Sequence, residues 1–341
     1  MLFGDRYDEA AVARTAKWAI GLLGPEGFRG CEREVLGVYK APMALFASGH
    51  ADQAARVLRA IEQQFFLDGD FHADTGVPHP PSGRSYRNAW LAWGSHVLGA
   101  YHLSQPAYDR LQAAQHAHHG GSPDNDTAEP ARRVYPAGGT AKVANALLAA
   151  GRLDAAVRAG RFLQKLFDSQ SADATRIFLI TDANGNMLDP ELLGIQQGVE
   201  NFVFELRKPH QICWIFGLTL RVYARLYRAT GDKSWLTSAE HLHHWITRAD
   251  PSLYATVTNG KMAWGAAEMA SVTGKPEWRQ LAQRVGQWMR DQQGEDGVWV
   301  RRPQFASSAE QPLAVSLDTS LERMFYLVDI PRALALTQAT E

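Results

Sequence analysis

Two cysteines, Cys31 and Cys213, are all that 341 residues contain, and they exclude a disulfide framework. Long apolar runs are missing as well: no run of about 18 apolar residues occurs, so no segment reads as a membrane-spanning helix. Excess charge of either sign is absent. A formal net charge of −1 and a pI of about 6.9 leave no global field to draw in nucleic acid or an anionic membrane. The opening "MLFGDRYDEAAVARTAKW" lacks the order of a signal peptide, so a soluble, cytoplasmic protein is expected. Strand-like alternation is scarce too; "RIFLITDANGNML" (Arg176 to Leu188) predicts the one hairpin, with Asn184-Gly185 at its turn. What is present, 45% hydrophobic and 21% charged residues, is enough to build an ordinary globular core.

Apolar residues recur with helical period over about 8–23, 34–48, 51–66, 86–103, 105–117, 139–150, 152–168, 209–229, 234–248, 261–273, 276–292 and 314–328, which predicts twelve helices. Their links alternate in length. "SGHA", "LSQP", "AGR", "ATGDKS" and "VTGKPE" are short, with Gly or Pro ending one helix just before the next begins. The other links are longer, so six helical hairpins send their long loops to one side. Helices such as "AWLAWGSHVLGAY" and "ANALLAAG" are apolar nearly all round, whereas "DAAVRAGRFLQKL" and "EWRQLAQRVGQWM" carry a charged face. The first kind is buried and the second meets water. The pattern predicts an all-α (α/α)6 barrel or toroid, a single domain over 1–341, with an open α-solenoid as the alternative.

One motif carries a resemblance. "QGEDGVW" (Gln293 to Trp299) matches the Q-x-x-x-G-x-W repeat of squalene and hopene cyclases, with partial echoes in "GPEGF" (Gly24 to Phe28) and "LDGDF" (Leu67 to Phe71). The chain thus resembles the α/α toroid superfamily of terpenoid cyclases and protein prenyltransferases. In that family the motif is structural, the Gln and the ring tying helix ends together. The catalytic D-x-D-D and D-D-x-x-D patterns are absent. In architecture alone the chain is also similar to sugar epimerases and glycosidases. Cys31, Cys213 and His210 are the only start of a zinc set, without a C-x-x-C or Cys-His pair behind them, so neither metal nor cofactor is expected.

In such a barrel the long loops and the starts of inner helices hold the functional groups. "CEREVLGVYKAP" opens the first inner helix with Cys31, Glu34, Tyr39 and Lys40, where Glu34 could equally pair with Lys40 as a brace. The Pro-rich segment from His72 to Trp90 reads as a rigid lid and offers Asp74, His79, Arg84, Tyr86, Trp90 and, just beyond, Trp93. Pro209 is read as starting the fourth inner helix, which would put His210, Cys213 and Trp214 on one face, with His210 suited to proton transfer. Lys261 and Trp264 open the fifth inner helix, and Asp318 and Glu322, four apart on the sixth, form a carboxylate pair or a capping arrangement. The runs "HAHH" (116–119) and "HLHH" (241–244) read as solvated.

These readings lead to an enzyme of secondary metabolism, cyclase-, isomerase- or lyase-like, that rearranges, cyclises or dehydrates an apolar, terpenoid- or polyketide-like small molecule. Its expected acid–base groups are Glu34, Tyr39, Lys40, His210 and Asp318. Cys31, His79, Arg84, Tyr86, Trp90, Trp93, Cys213, Trp214, Lys261 and Trp264 would bind substrate. A carbohydrate-active hydrolase or epimerase is the alternative, since Trp and Tyr stack on sugars as readily as on isoprenoids, and a non-enzymatic helical-repeat binding protein is a third reading.

Overall fold

In the computed structural model the described residues are 9–32, 34–71, 83–123, 133–192, 199–211, 214–256, 258–301 and 304–336. The chain divides into two compact units. The first comprises Met1–His79, Arg87–Arg110 and Gly286–Glu341; the second comprises Pro80–Tyr86 and Leu111–Val285. Three of the boundaries, after Tyr86, Arg110 and Val285, fall inside helices rather than in linkers, so no shift of composition announces them.

The first unit holds α1 (Glu9–Gly21), α2 (Val35–Val38), α3 (Ala41–Ala47), α4 (Ala51–Phe65), most of α5 (Arg84–Val97) and α6 (Tyr101–Ala114), and α13 (Leu313–Ala335). The second holds α7 (Ala137–Ala149), α8 (Leu153–Asp168), α9 (Trp214–Thr230), α10 (Ser234–Arg248), α11 (Gly260–Thr273) and most of α12 (Pro276–Asp291). All twelve expected helices are present, the second being broken at Tyr39-Lys40 into α2 and α3. In the first unit α13 packs on α1, α2 and α3; in the second α9 packs on α7, α8, α10 and α11. Each residue of Ala137–Leu147 in α7 and Gly260–Ala270 in α11 is buried, as an apolar circumference requires.

Four of the five short links behave as read, each stopping a helix with a glycine in the left-handed region (Gly49, Gly151, Gly231 and Gly274). The link expected at "LSQP" lies instead at Gly99, which has φ 74°, and Pro106 sits inside α6. Gly99 wins because it can adopt that backbone without strain, while Pro106 takes one internal hydrogen bond from α6 and crowds the carbonyl four residues back without ending the helix. The expected hairpin is also revised. Its first arm carries two short strands, β4 (Arg176–Phe178) and β5 (Ile180–Thr181), which pair with other segments: β4 with β6 (Val203–Glu205) and β5 with β3 (Tyr135–Pro136). Only the turn at Asp182–Asn186 survives, closed by a Thr181–Met187 bridge. A third two-stranded ladder joins β1 (Leu23–Gly24) to β2 (Gly27–Phe28).

The Gln293–Trp299 motif is a clasp, as its resemblance implies. Gln293 Nε2 donates to the Ala11 carbonyl and to Thr15 Oγ1, both at 2.8 Å, and the Trp299 indole N–H donates to the Met289 carbonyl at 2.8 Å. It ties the loop after α12 to α1. No described helix is long and apolar enough to cross a membrane.

Candidate functional site

In the first unit two carboxylates and an amine meet. Asp318 and Glu322 lie four residues apart on α13 and so share a face. Lys40 sits at the break between α2 and α3, and α2 is pressed so closely onto α13 that a Cβ on Gly37 would fall 2.8 Å from the Ala314 Cα. That approach carries the Lys40 ammonium to 2.8 Å from Asp318 Oδ1 and 3.0 Å from Glu322 Oε1. Arg301 holds the other Asp318 oxygen and donates through Nε to Thr319 Oγ1 at 2.7 Å. The Tyr326 hydroxyl donates to Glu322 Oε1 at 3.3 Å, and the Tyr39 ring lies 5.1 Å from the ammonium. The Lys40 side chain is 3% exposed and those of Asp318 and Glu322 14% and 9%, so their attraction is little weakened by water. Of the groups expected to act here, Tyr39, Lys40 and Asp318 are therefore brought together.

Glu34 is not among them. It caps α2 from an exposed position, with no side-chain capping bond, and neither joins the cluster nor braces Lys40. Cys31 is buried, and burial first, then the nearby Glu34 and Glu32 carboxylates, push its thiol up to about 11, which leaves it inert as a nucleophile. Trp90 and Trp93 stack on each other and meet Phe325 edge-on at 5.5 and 5.7 Å. Both rings are buried, so they are core rather than an open binding wall.

The second unit gathers a different set. Trp214 begins α9, its indole N–H donating to Asn201 Oδ1 at 3.2 Å. Tyr86 meets it edge-on at 5.6 Å, and the Lys261 ammonium lies over its face at 5.6 Å. About two turns further along α9, the Arg221 guanidinium stacks 3.8 Å from the Trp264 ring centroid, donates to Asn145 Oδ1 at 2.7 Å and pairs with Glu268 at 3.3 Å. Lys142 lies over the same ring at 6.0 Å. The helices can come this close because Gly265 of α11 abuts Gly217 of α9; a Cβ on Gly217 would lie 2.2 Å from the Lys261 carbonyl oxygen.

His210 does not share this arrangement. Helix α9 starts at Trp214 rather than at Pro209, and His210 is exposed, with φ 56° and its backbone N–H donating to Ser252 Oγ at 2.6 Å. His210 and Trp214 thus do not share a helical face; Cys213 lies outside the described residues, as do His79, Asp74 and the prolines of the expected lid. Arg84 and Tyr86 are half-buried at the start of α5. The "HAHH" run is not simply solvated. His116 and His119 stack at 3.8 Å with Tyr135 edge-on to both, and burial first, then His116, pulls His119 down to about 4. Among the described residues no three His, Cys, Asp or Glu side chains gather as a metal site would need. Sequence reasoning passed over Arg301, Lys142, Asn145, Arg221 and Glu268, although single charges inside otherwise apolar helices were a usable signal.

No protein-family model matches the chain, and no curated protein does. Solved structures do. A D-mannose isomerase aligns with TM-score 0.69 at 12% identity, over 95% of this chain and 96% of its own. An α-1,6-mannanase of a Salegentibacter species, an inactive variant in which two successive aspartates are asparagines, bound to α-1,6-mannotriose, aligns at 0.65 and 11%, over 95% and 99%. An unsaturated glucuronyl hydrolase specific for heparin aligns at 0.64 and 12%, over 98% and 99%. These relatives overturn the expectation of a terpenoid-type cyclase of secondary metabolism acting on an apolar substrate: each is named for a carbohydrate. The fold is an α/α toroid built from helical hairpins, as the repeat pattern predicts.

Proposed function

We propose that the protein is a carbohydrate-active enzyme of the isomerase or epimerase kind, moving a proton next to the carbonyl of an open-chain sugar. The observation that carries this reading is Lys40 held between Asp318 and Glu322. Removing a proton beside a carbonyl requires a base, a donor that returns the proton, and a positive group for the oxygen that becomes negative. One carboxylate would take the proton from the carbon beside the carbonyl. The Lys40 ammonium, with Arg301 behind Asp318, would hold the enediolate and pass the hydroxyl proton from one oxygen to the other, and the carboxylic acid formed in the first step would return its proton, exchanged with solvent, to the neighbouring carbon; for epimerisation the second carboxyl, protonated through Lys40, would deliver it to the opposite face. Tyr39 and Tyr326 would orient the amine and Glu322. Glu34 and His210 have no part in this scheme.

Two observations favour proton transfer over glycoside hydrolysis. No two aspartates are adjacent anywhere in the sequence, whereas the inactive mannanase variant has lost such a pair. Both carboxylates also lie within 3.0 Å of one nitrogen, so the contacting oxygens are at most twice that apart. An inverting hydrolase needs about 6.5–9.5 Å for its water, which these oxygens do not span; a retaining one needs about 5–5.5 Å, so against that mechanism it is the missing aspartate pair that argues. The test is incubation with D-mannose and other aldoses in deuterated water, followed by NMR. Ketose or epimer should appear with deuterium at the exchanged carbon, and Asp318→Asn or Glu322→Gln should lower the rate at least a hundredfold. Release of monosaccharide from α-mannan oligosaccharides, with no exchange into free aldoses, would overturn the reading.

A further inference from the structure

We infer that Gln311 is a positioning residue for the proposed reaction: it fixes Arg301 against Asp318 and so sets where the Asp318 carboxylate stands. This role presupposes the isomerase reading and is built from contacts within the first unit. Gln311 is 4% exposed and lies just before α13, the helix that carries Asp318 and Glu322. Its Oε1 accepts the Arg301 backbone N–H at 2.7 Å, and its Nε2 donates to the Trp299 carbonyl at 3.0 Å and to Ser316 Oγ at 2.9 Å. The acceptor and both donors of the amide are thereby in use, which settles the way it faces. Trp299 is held a second time, its backbone N–H donating to Ser320 Oγ at 3.1 Å. Residues 299 and 301 are therefore stitched to the opening turns of α13 through Ser316 and Ser320.

The stitching matters because two tendencies would carry Arg301 away from Asp318. Its side chain is 32% exposed, and a partly exposed ion pair gains little once long side chains must be ordered. Arg323, buried on the same helix, also repels it: burial first pulls Arg323 down to about 9, Glu322 opposes the fall and the Arg301 charge adds to it. Against both, Gln311 anchors the Arg301 backbone, so that Nε donates to Thr319 Oγ1 at 2.7 Å while Nη2 meets Asp318 Oδ2. Asp318 Oδ1 then faces the Lys40 ammonium at 2.8 Å. The carboxylate is pinned by a different cation on each oxygen, and Lys40 is set by Asp318 on one side and Glu322 on the other. In the proposed reaction the carboxylate must meet a carbon-bound proton while the ammonium meets the enediolate. A misplacement of about 1 Å can cost on the order of a hundredfold in rate. Gln311 touches no reacting atom; its effect passes through Arg301.

Two readouts test it: the rate of deuterium incorporation into D-mannose, and the NMR signal of the Arg301 Nε–H group in protein labelled at arginine, assigned by its loss in Arg301→Met. Gln311→Met, similar in length and without hydrogen bonds, should lower kcat about tenfold or more and leave KM within about threefold. The Arg301 signal should exchange with water at least about tenfold faster, since its backbone anchor is gone. Added to Arg301→Met, the same substitution should slow the enzyme no more than about twofold further, because the route through Arg301 is already cut. Gln293→Ala, which loosens the start of the same loop from α1, controls for mere destabilisation and should leave kcat within about twofold. If Gln311→Met does not fold, Ser316→Ala removes one of the Gln311 bonds and should move both readouts in the same direction. An unchanged kcat or Arg301 signal in the folded variant, full additivity with Arg301→Met, or an equal loss of kcat in Gln293→Ala would overturn the inference and leave the isomerase reading standing. No exchange by the unmodified protein would remove that reading and this role with it.

Discussion

Replacing Lys40 by methionine removes the ammonium that touches both Asp318 and Glu322 and leaves a side chain of similar length in a place that is 3% exposed. Breaking a buried ion pair from one side costs about 3–5 kcal/mol, because the remaining charge stays buried without its counter-charge. Asp318 keeps Arg301 and Glu322 keeps the Tyr326 hydroxyl and the nearby Arg323 charge, so the lower end, about 3 kcal/mol, is expected. Lys40→Met with Glu322→Gln, which removes one of the two carboxylate charges that Lys40 faces, should be more stable than Lys40→Met alone. Urea unfolding with an unchanged slope measures the loss. Hydrogen exchange of α13 amides localises it to the first unit, with α8 of the second as the internal control. If the double variant loses the sum of the two single losses, the carboxylates are not held by Lys40 and the proposed chemistry has no centre.

Gly217→Ala should cost about 3 kcal/mol or more in a thermal unfolding scan, since its Cβ would lie 2.2 Å from the Lys261 carbonyl oxygen; an unchanged midpoint would mean α9 and α11 do not meet there. Gln293→Ala should cost about 1–2 kcal/mol by removing its hydrogen bonds to the Thr15 hydroxyl and the Ala11 carbonyl of α1, with α1 amides exchanging faster; equal exchange in the variant would refute the clasp. His119 is pulled from 6.5 to about 4, so between those pH values the unfolded chain binds more protons and stability falls as pH falls. His119→Phe should flatten that slope in melting temperatures taken from pH 7 to pH 4, and an identical slope would show that His119 is not the group responsible.

The helices were legible in the sequence because each carries its own period and most stops are a glycine. Pro106 shows the limit: proline is a breaker in the sequence, yet a left-handed Gly99 seven residues earlier had already ended α5, so α6 could absorb the proline. Pro209 misled in the same way, since the chain bends at His210 and α9 starts later. Asp318 and Glu322 were readable as a pair from their spacing. That Lys40 would bridge them was not, because the bridge depends on the close contact of Gly37 with Ala314, more than 250 residues away in the chain.

The polarity of the ligand was misread for a reason that bears on the proposed function. Ten tryptophans suggest an aromatic wall, and an isoprenoid or a sugar would suit such a wall equally. In the folded chain Trp90 and Trp93 are spent on Phe325 and the core, while Trp264 carries the Arg221 guanidinium and Trp214 lies beneath the Lys261 ammonium. The rings that remain near polar groups thus serve charges rather than a hydrocarbon. An apolar substrate would gain nothing from the charged groups beside these rings. A ligand rich in hydroxyl, carbonyl or anionic oxygens gives each of them an acceptor. The charged groups within otherwise apolar inner helices, the Lys40–Asp318–Glu322 cluster and the Arg221–Glu268 pair, therefore fit the proposed sugar better than a hydrocarbon.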